Sequence, residues 1–431
     1  MFVFQKRKIH KMVCVNGINN LDYSTIAVDE KWNDCDDIEL TMHTIHAYPA
    51  KFPAFMASKA FEYAKSEGVA IRRVADVFCG CGTVALEAKN HDYQFWGCDI
   101  NPVATLIAKA KSNQYDKNTF ERYYSKILMQ YSKINLAPNA YANANARLQY
   151  WFEEKTFCEL LKLDTAIKQI VVDPKYLEAF QCVFSSILKA ASKWLNKSIK
   201  PQVDPKKQEI DVLKKFQVQC NKFIKAISEI KDTNTRIEIQ CENFLTMKEL
   251  PKVDLIVTSP PYVTSYEYAD LHQLSSIWLG YTDDYRKLRK GSIGSVYNSD
   301  DFTINFNSLN ETGKNIVEAL SNKDRDLSKV KSVARYYVDM QEAVKKCAQM
   351  LNKNGMVFFV VGDTEYKGIK IQNSKHLIET MESNGYTDIK IAKRTISKGI
   401  CVPYRDEKGK FSTDKSKRKV YHEEFIVSGR M

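Results

Sequence analysis

The chain has 431 residues, two or three domains' worth at roughly 150 per domain, which excludes a mini-protein stapled by disulfides or metal. At 44% hydrophobic, 11% aromatic and 27% charged it has the make-up of a folded protein, so a mostly disordered or fibrous chain is excluded as well. Lys and Arg number 64 against 52 Asp and Glu, a net charge of +12 that favours a polyanionic partner, although solubility charge accounts for it equally well.

The eleven cysteines contain no Cys-x-x-Cys pair, and Cys79 and Cys81 are too close for a usual zinc loop, so their spacing supports neither zinc nor a disulfide framework. A reducing cytosol fits best. The run from Met1 to Lys8 carries its charge after a very short apolar stretch, and no uninterrupted segment approaches about 18 apolar residues. The expectation is a cytoplasmic protein with no membrane contact.

From Arg72, the run Val74 to Cys79 reads as a buried strand entering Gly80-Cys81-Gly82-Thr83, with a helix from Val84 to about Lys89. Tyr93 to Cys98 reads as a second strand ending at Asp99, and Asn101-Pro102 opens a helix through Ala110. Strand, glycine turn, helix, strand implies parallel pairing.

Between Asn113 and Thr235 the pattern changes. Asp173-Pro174 has the form of an N-cap followed by Pro at the first helical position, and apolar residues from Leu177 to Leu195 recur at helical spacing until Pro201 and Pro205. Ile210 to Ile227 repeats the periodicity, so this stretch is read as a helical insertion with its own apolar faces. Lys189, Lys193, Lys197, Lys206 and Lys207 read as a solvated face.

The strand pattern resumes at Ile237 and Ile239, then Val253 to Val257, a continuous apolar strand ending in Thr258-Ser259-Pro260-Pro261-Tyr262. A helix from about Ala334 to Leu351, a strand Met356 to Val361, a helix around Ser374 to Ser383, and strands in Tyr386 to Ile396 and Glu424 to Val427 complete about seven strands. Lys408 to Lys419 reads as a basic loop. The expectation is an open, mostly parallel α/β sheet.

Such sheets bind ligands beyond the carboxyl ends of their strands, where Asp76 to Thr83 lies. Gly80 and Gly82 permit a tight turn and close approach of a ligand, and Asp99 stands where the dinucleotide fingerprint places a ribose-binding carboxylate. Asp76, just before the glycines, repels a pyrophosphate but attracts an ammonium group, which favours S-adenosylmethionine over NAD. The amino group then lies near Asp76, the ribose on Asp99, and the adenine against Ile100 or Pro102.

In the second motif, Pro260 and Pro261 remove two backbone donors and fix φ at both, so the local carbonyls are rigid acceptors. A base amine is a poor nucleophile because its lone pair is delocalised. Acceptors at Ser259 and the Pro260 carbonyl hold its two hydrogens, and Tyr262 stacks on the base, a contact worth about 1–3 kcal/mol.

Asp76-Val77-Phe78-Cys79-Gly80-Cys81-Gly82-Thr83 together with Thr258-Ser259-Pro260-Pro261-Tyr262 resembles the S-adenosylmethionine-dependent amino-methyltransferases that act on DNA bases. The Ser heading the second turn resembles the cytosine-N4 branch, since adenine-N6 members more often carry Asp or Asn there. The resemblance implies a class I methyltransferase-like α/β fold, a mostly parallel seven-stranded sheet flanked by helices with a helical insertion. It implies catalytic roles for Ser259, Pro260, Pro261 and Tyr262, and cofactor contacts from Asp76, Phe78, Gly80, Gly82, Thr83, Asp99 and Ile100. His46 to Pro53 is similar to the segment these enzymes place before the glycine turn, so Lys51, Phe52 and Pro53 are carried over, and Glu242 or Asn243 takes the place of the residue reading the adenine edge. Residues 1–44 are then an N-terminal segment, 45–112 the cofactor-binding half, 113–235 a helical insertion and candidate target-recognition region, and 236–431 the catalytic half.

Tyr266, Tyr268, Asp270, His272 and Trp278 form a polar and aromatic cluster after the proline turn, with His272 read as a packing residue. Arg289, Lys290 and Ser292 are expected to meet phosphates, and Gly362-Asp363-Thr364 fits either a pocket wall or an ordinary turn. The expectation is site-specific methylation of double-stranded DNA on a flipped base, at cytosine N4, with a cognate restriction endonuclease implied by the resemblance. Adenine N6 in DNA or guanine N2 in RNA is the nearest rival, then an NAD-dependent oxidoreductase, then a non-catalytic nucleic-acid-binding module. Carbon-5 methylation is disfavoured because the catalytic turn has no nucleophilic Cys.

Overall fold

The computed structural model describes residues 12–15, 23–33, 38–49, 51–263, 267–295, 297, 302–324, 327–396, 404–405, 411–412, 414, 416, 418–419 and 423–431. The chain opens with β1 (Val13–Cys14) and α1 (Ala54–Ser66), then alternates β2 (Arg73–Asp76), α2 (Thr83–Asn90), β3 (Gln94–Asp99) and α3 (Pro102–Ser112). Five helices follow: α4 (Lys117–Tyr131), α5 (Ala146–Trp151), α6 (Glu154–Ile170), α7 (Pro174–Ala191) and α8 (Val212–Glu229). After β4 (Ile237–Cys241) and β5 (Val253–Thr258) come α9 (Tyr268–Leu271), α10 (Gln273–Trp278), α11 (Glu311–Lys323) and α12 (Leu327–Met350). The chain then forms β6 (Leu351–Val361), a hairpin of β7 (Thr364–Tyr366) and β8 (Ile369–Ile371), α13 (Asn373–Ser383) and β9 (Thr387–Thr395). Three two-residue strands, β10 (Tyr404–Arg405), β11 (Phe411–Ser412) and β12 (Arg418–Lys419), pair with one another before β13 (Glu423–Arg430) closes the chain. The basic stretch 408–419 lies partly outside the described residues.

The central sheet has the order β1-β9-β13-β6-β5-β2-β3-β4. β4, β3, β2, β5 and β6 are parallel, and β13 inserts antiparallel between β6 and β9. The expected seven strands are present, with β1 added as a short antiparallel edge on β9. Every residue of β5 is buried, as a run apolar on both faces requires, and helices cover both sides. Chain order reverses between β2 and β5, so the crevice for a ligand falls at their carboxyl ends. The register Val74↔Leu255 and Ala75↔Ile256 brings Asp76 and Thr258 to that same edge.

The insertion does not fold around a separate core. Trp278 of α10 packs on Phe152, Phe157 and Phe184 at ring-centroid distances of 5.3, 5.0 and 5.6 Å, so α4 to α8 share one apolar cluster with α3 and α10. α7 is capped at its start by the Asp173 carboxylate, as expected, but ends at Ala191 because Ser192 turns extended and Trp194 bridges Val203. Lys189 and Lys207 correct the solvated-face reading. Lys207 Nζ donates to the Trp194 carbonyl (2.6 Å) and Asn196 Oδ1 (2.7 Å), and Lys189 Nζ donates to the Ser198 carbonyl (2.7 Å), so both are internal struts of that turn.

Candidate active site

The first half of the site is the turn after β2. The Cys79 N–H continues the ladder to the Cys98 carbonyl (3.0 Å), and the Gly82 N–H closes the turn on the Cys79 carbonyl (2.8 Å). Gly80 and Gly82 have φ of +46° and +74°. At Gly82 a Cβ would stand 2.6 Å from Ala108 Cβ, so glycine is required both by the left-handed backbone and by the approach of α3. α2 begins immediately afterwards, with Thr83 buried behind the turn and its first backbone N–H groups lacking intrahelical partners.

Two carboxylates flank this turn. Asp99 accepts from the backbone N–H of Gly80 (2.9 Å) and of Asn101 (2.8 Å), and burial pushes its pKa up to about 6 against those two bonds. Asp76, 4% exposed, accepts from Thr258 Oγ1 (2.6 Å) and the Phe78 N–H (3.1 Å). Burial, with a smaller push from Asp99, raises it to about 7. The Thr258–Asp76 bond joins the two sequence motifs directly, although 182 residues separate them.

The second half is the turn after β5. Ser259 Oγ donates its hydrogen to the Val360 carbonyl (3.1 Å) on neighbouring β6, which leaves the oxygen's lone pairs as acceptors. Pro260 is buried, and Pro261 and Tyr262 are half-buried. The Tyr262 hydroxyl donates to Glu424 Oε1 (2.6 Å), and its ring lies against Gly362, where a Cβ would come within 3.2 Å of ring atom Cε2. Of Gly362-Asp363-Thr364, Gly362 thus meets Tyr262, while Asp363 accepts from the Ser374 N–H and hydroxyl at the start of α13.

The walls come from dispersed residues. Ile100 and Asn243 meet at Gly291 (φ +85°), where a Cβ would lie 2.9 Å from Ile100 Cδ1 and 3.2 Å from Asn243 Nδ2. Phe78 packs edge-on against Phe244 at 6.1 Å. In the 46–53 segment, Lys51 is held by Glu39 (2.6 Å), Phe52 packs on the apolar cluster beside α2, and Pro53 caps α1. The member that meets the glycine turn is Tyr48, whose ring would contact a Cβ on Gly80 at 3.6 Å and stacks on His272 at 5.1 Å. Burial pushes His272 down to about 3, in keeping with a neutral packing residue. Tyr268 opens the short helix α9 just after the second turn. Gly291 has no motif of its own, whereas Tyr48 lies in the segment before the glycines and Tyr268 in the aromatic cluster after the proline turn, neither of which singles it out.

Arg289 departs from the phosphate-binding expectation. It makes a bidentate pair with Asp270 (2.8 Å at both contacts) and lies over Tyr297 at 4.0 Å, which commits its guanidinium inside the fold. Tyr266 lies outside the described residues.

Both Asp76 and Asp99 are desolvated, and neither is ion-paired among the described residues. Paired carboxylates without a countercharge, beside a turn that only glycines can make, fit a cationic ligand with a diol and misfit a pyrophosphate. S-adenosylmethionine has those groups.

Comparisons with known proteins agree. The sequence model of the D12 class N6 adenine-specific DNA methyltransferases matches residues 60–321, more than half of the chain. Type II methyltransferase M.MvaI of Kocuria varians is 25% identical over 362 residues, covering 77% of this chain and 79% of its own. Among solved structures, the rRNA methyltransferase aviRa from Streptomyces viridochromogenes is 9% identical over 77% of this chain and 82% of that one, with a TM-score of 0.25. No helix among the described residues is long and apolar enough to cross a membrane. The chain belongs to the D12 class N6 adenine-specific DNA methyltransferase family, and it is a DNA methyltransferase that uses S-adenosylmethionine.

Proposed function

We propose that the protein methylates the exocyclic amine of a flipped base in double-stranded DNA, with cytosine N4 as the target. The observation that carries this reading is the Thr258–Asp76 hydrogen bond, which makes the glycine turn and the Ser-Pro-Pro-Tyr turn two walls of one crevice. S-adenosylmethionine supplies a methyl group on a positively charged sulfur. Asp76 and the backbone of Gly80 and Gly82 receive its ammonium end, with Thr83 setting the start of α2 and Phe78 and Tyr48 as walls. Asp99 takes the ribose hydroxyls, and Ile100 and Asn243 border the adenine.

Ser259 Oγ and the Pro260 carbonyl accept the two amine hydrogens. With its hydrogen on the Val360 carbonyl, the Ser259 hydroxyl offers the amine lone pairs, which leaves the nitrogen lone pair free to react. The nitrogen gains positive charge as it is methylated, so acceptor bonds at these two oxygens strengthen toward the transition state. Neither oxygen is basic enough to take a proton, so the methylated nitrogen, cationic after transfer, keeps its two hydrogens bonded to them until it loses one to solvent. Tyr262 stacks on the extruded base and offsets part of the few kcal/mol that flipping costs.

Ser at the head of the turn supports cytosine N4. Adenine N6 is the second reading, favoured by the family description itself. Digesting methylated plasmid to nucleosides separates them: N4-methylcytosine supports the first, N6-methyladenine establishes the second, and a product with carbon-5 or ribose methylation overturns both. The insertion, residues 113–235, is the candidate target-recognition region. A cognate endonuclease and a cytoplasmic site of action complete this reading; the relative from Kocuria varians is named a Type II methyltransferase.

A further inference from the structure

Stacking on a base needs only a ring face, which phenylalanine offers as well as tyrosine. In this crevice the Tyr262 hydroxyl is not left to solvent. It donates to Glu424 Oε1 at 2.6 Å, and Glu424 Oε2 accepts from Arg394 Nε (2.9 Å) and Nη2 (2.5 Å). Glu424 on β13 and Arg394 on β9 are direct cross-strand partners, and their side chains are only 13% and 3% exposed. The Arg394 guanidinium also lies over Phe55 of α1 at 5.7 Å, so the pair is fixed from the sheet and from a covering helix. On the other side, Gly362 leaves no side chain between the ring and the backbone after β6. A buried carboxylate held by two arginine contacts has one remaining strong acceptor, and that acceptor grips the tyrosine.

We propose that Glu424, oriented by Arg394, is a positioning residue for the target base: it anchors the Tyr262 ring in place before the base arrives. This rests on the reading of Tyr262 as the stacking platform. A ring held in place in advance loses no rotamer freedom on binding, so the benefit falls on extrusion and transfer, with none on cofactor binding.

The test compares Tyr262→Phe, Glu424→Gln, the double variant and Tyr262→Ala in the full-length protein. Three quantities are read on each: single-turnover methylation, fluorescence of 2-aminopurine at the target position, and calorimetric cofactor affinity. Loss of one hydrogen bond to a carboxylate predicts that Tyr262→Phe slows transfer about tenfold and lowers the extrusion signal, with cofactor affinity unchanged. The double variant should be no slower than the slower single variant, because both changes break the same bond. A wild-type rate for Tyr262→Phe, or losses that multiply in the double variant, overturns the proposal. Glu424→Gln leaves Arg394 buried without its countercharge and can unfold the sheet edge. Tyr262→Phe, which keeps the ion pair intact, then decides alone. Tyr262→Ala tests the underlying reading separately: undiminished extrusion in that variant refutes the platform itself.

Discussion

Thr258→Val exchanges a hydroxyl for a methyl at a fully buried position and removes the shortest bond to Asp76, 2.6 Å, while the Phe78 N–H at 3.1 Å remains. A hydrogen bond to a charged acceptor is worth about 1.5–3 kcal/mol, equivalent to about one to two pH units of titration. The threonine bond is donated to the ionised form, so its loss moves the Asp76 titration upward from about 7. A cationic ligand needs the ionised form. Wild-type cofactor affinity should therefore rise with pH, steeply below about 7, and level above it, whereas the variant should still be rising there. The ratio of wild-type to variant affinity, in which the ligand's own titration cancels, is expected to be about ten- to hundredfold at acidic pH and to shrink as pH increases. Calorimetric titration between about pH 6 and 8.5, with S-adenosylhomocysteine as a stable analogue, measures it. A ratio constant with pH shows that Thr258 acts through packing alone, and the assignment of Asp76 to the ammonium end fails.

Asp99→Ala should weaken cofactor binding by about 1.5–3 kcal/mol in calorimetry, and unchanged affinity removes the ribose assignment. Gly291→Ala pushes a methyl to 2.9 Å from Ile100 Cδ1 and 3.2 Å from Asn243 Nδ2, the ends of two side chains that can shift. It should raise the cofactor KM several-fold at a cost of about 1 kcal/mol for the left-handed backbone, whereas unaltered KM with a large drop in Tm makes Gly291 purely a folding residue. Lys207→Met should lower Tm without changing the salt dependence of DNA binding, because the ammonium is spent on Trp194 and Asn196; a slope flattened by about one contact places it on a phosphate instead.

The sheet was legible because its strands are short apolar runs with strong punctuation: Val253 to Thr258 has no other stable use than a buried parallel strand. The glycine turn was legible for a similar reason, since two left-handed residues before a helix leave a spelling that few other structures require. Helices α1, α4 and α6 were not delimited, because their apolar faces complete clusters assembled from distant segments, α1 in the one around β2 and β5 and α4 and α6 in the one shared with α7 and α8. The direction of charged side chains was hidden as well. Lys207 and Arg289 look like a solvated cation and a phosphate ligand in one dimension, and only the turn around Trp194 and the return of the chain to Asp270 reveal their partners. Glu424 was the most remote: a strand residue beyond a basic loop carries no motif, yet the register of β13 against β6 and β9 sets it on the hydroxyl of the tyrosine in the second turn.

The most direct measurement takes one preparation of Ser259→Ala and determines both cofactor affinity and single-turnover methyl transfer to cognate DNA. Cofactor affinity should stay within about twofold of wild type while transfer falls at least about tenfold, the worth of one charge-assisted hydrogen bond at the amine. Transfer at the wild-type rate, or an equal loss of affinity and transfer, contradicts the claim that this oxygen holds the reacting nitrogen.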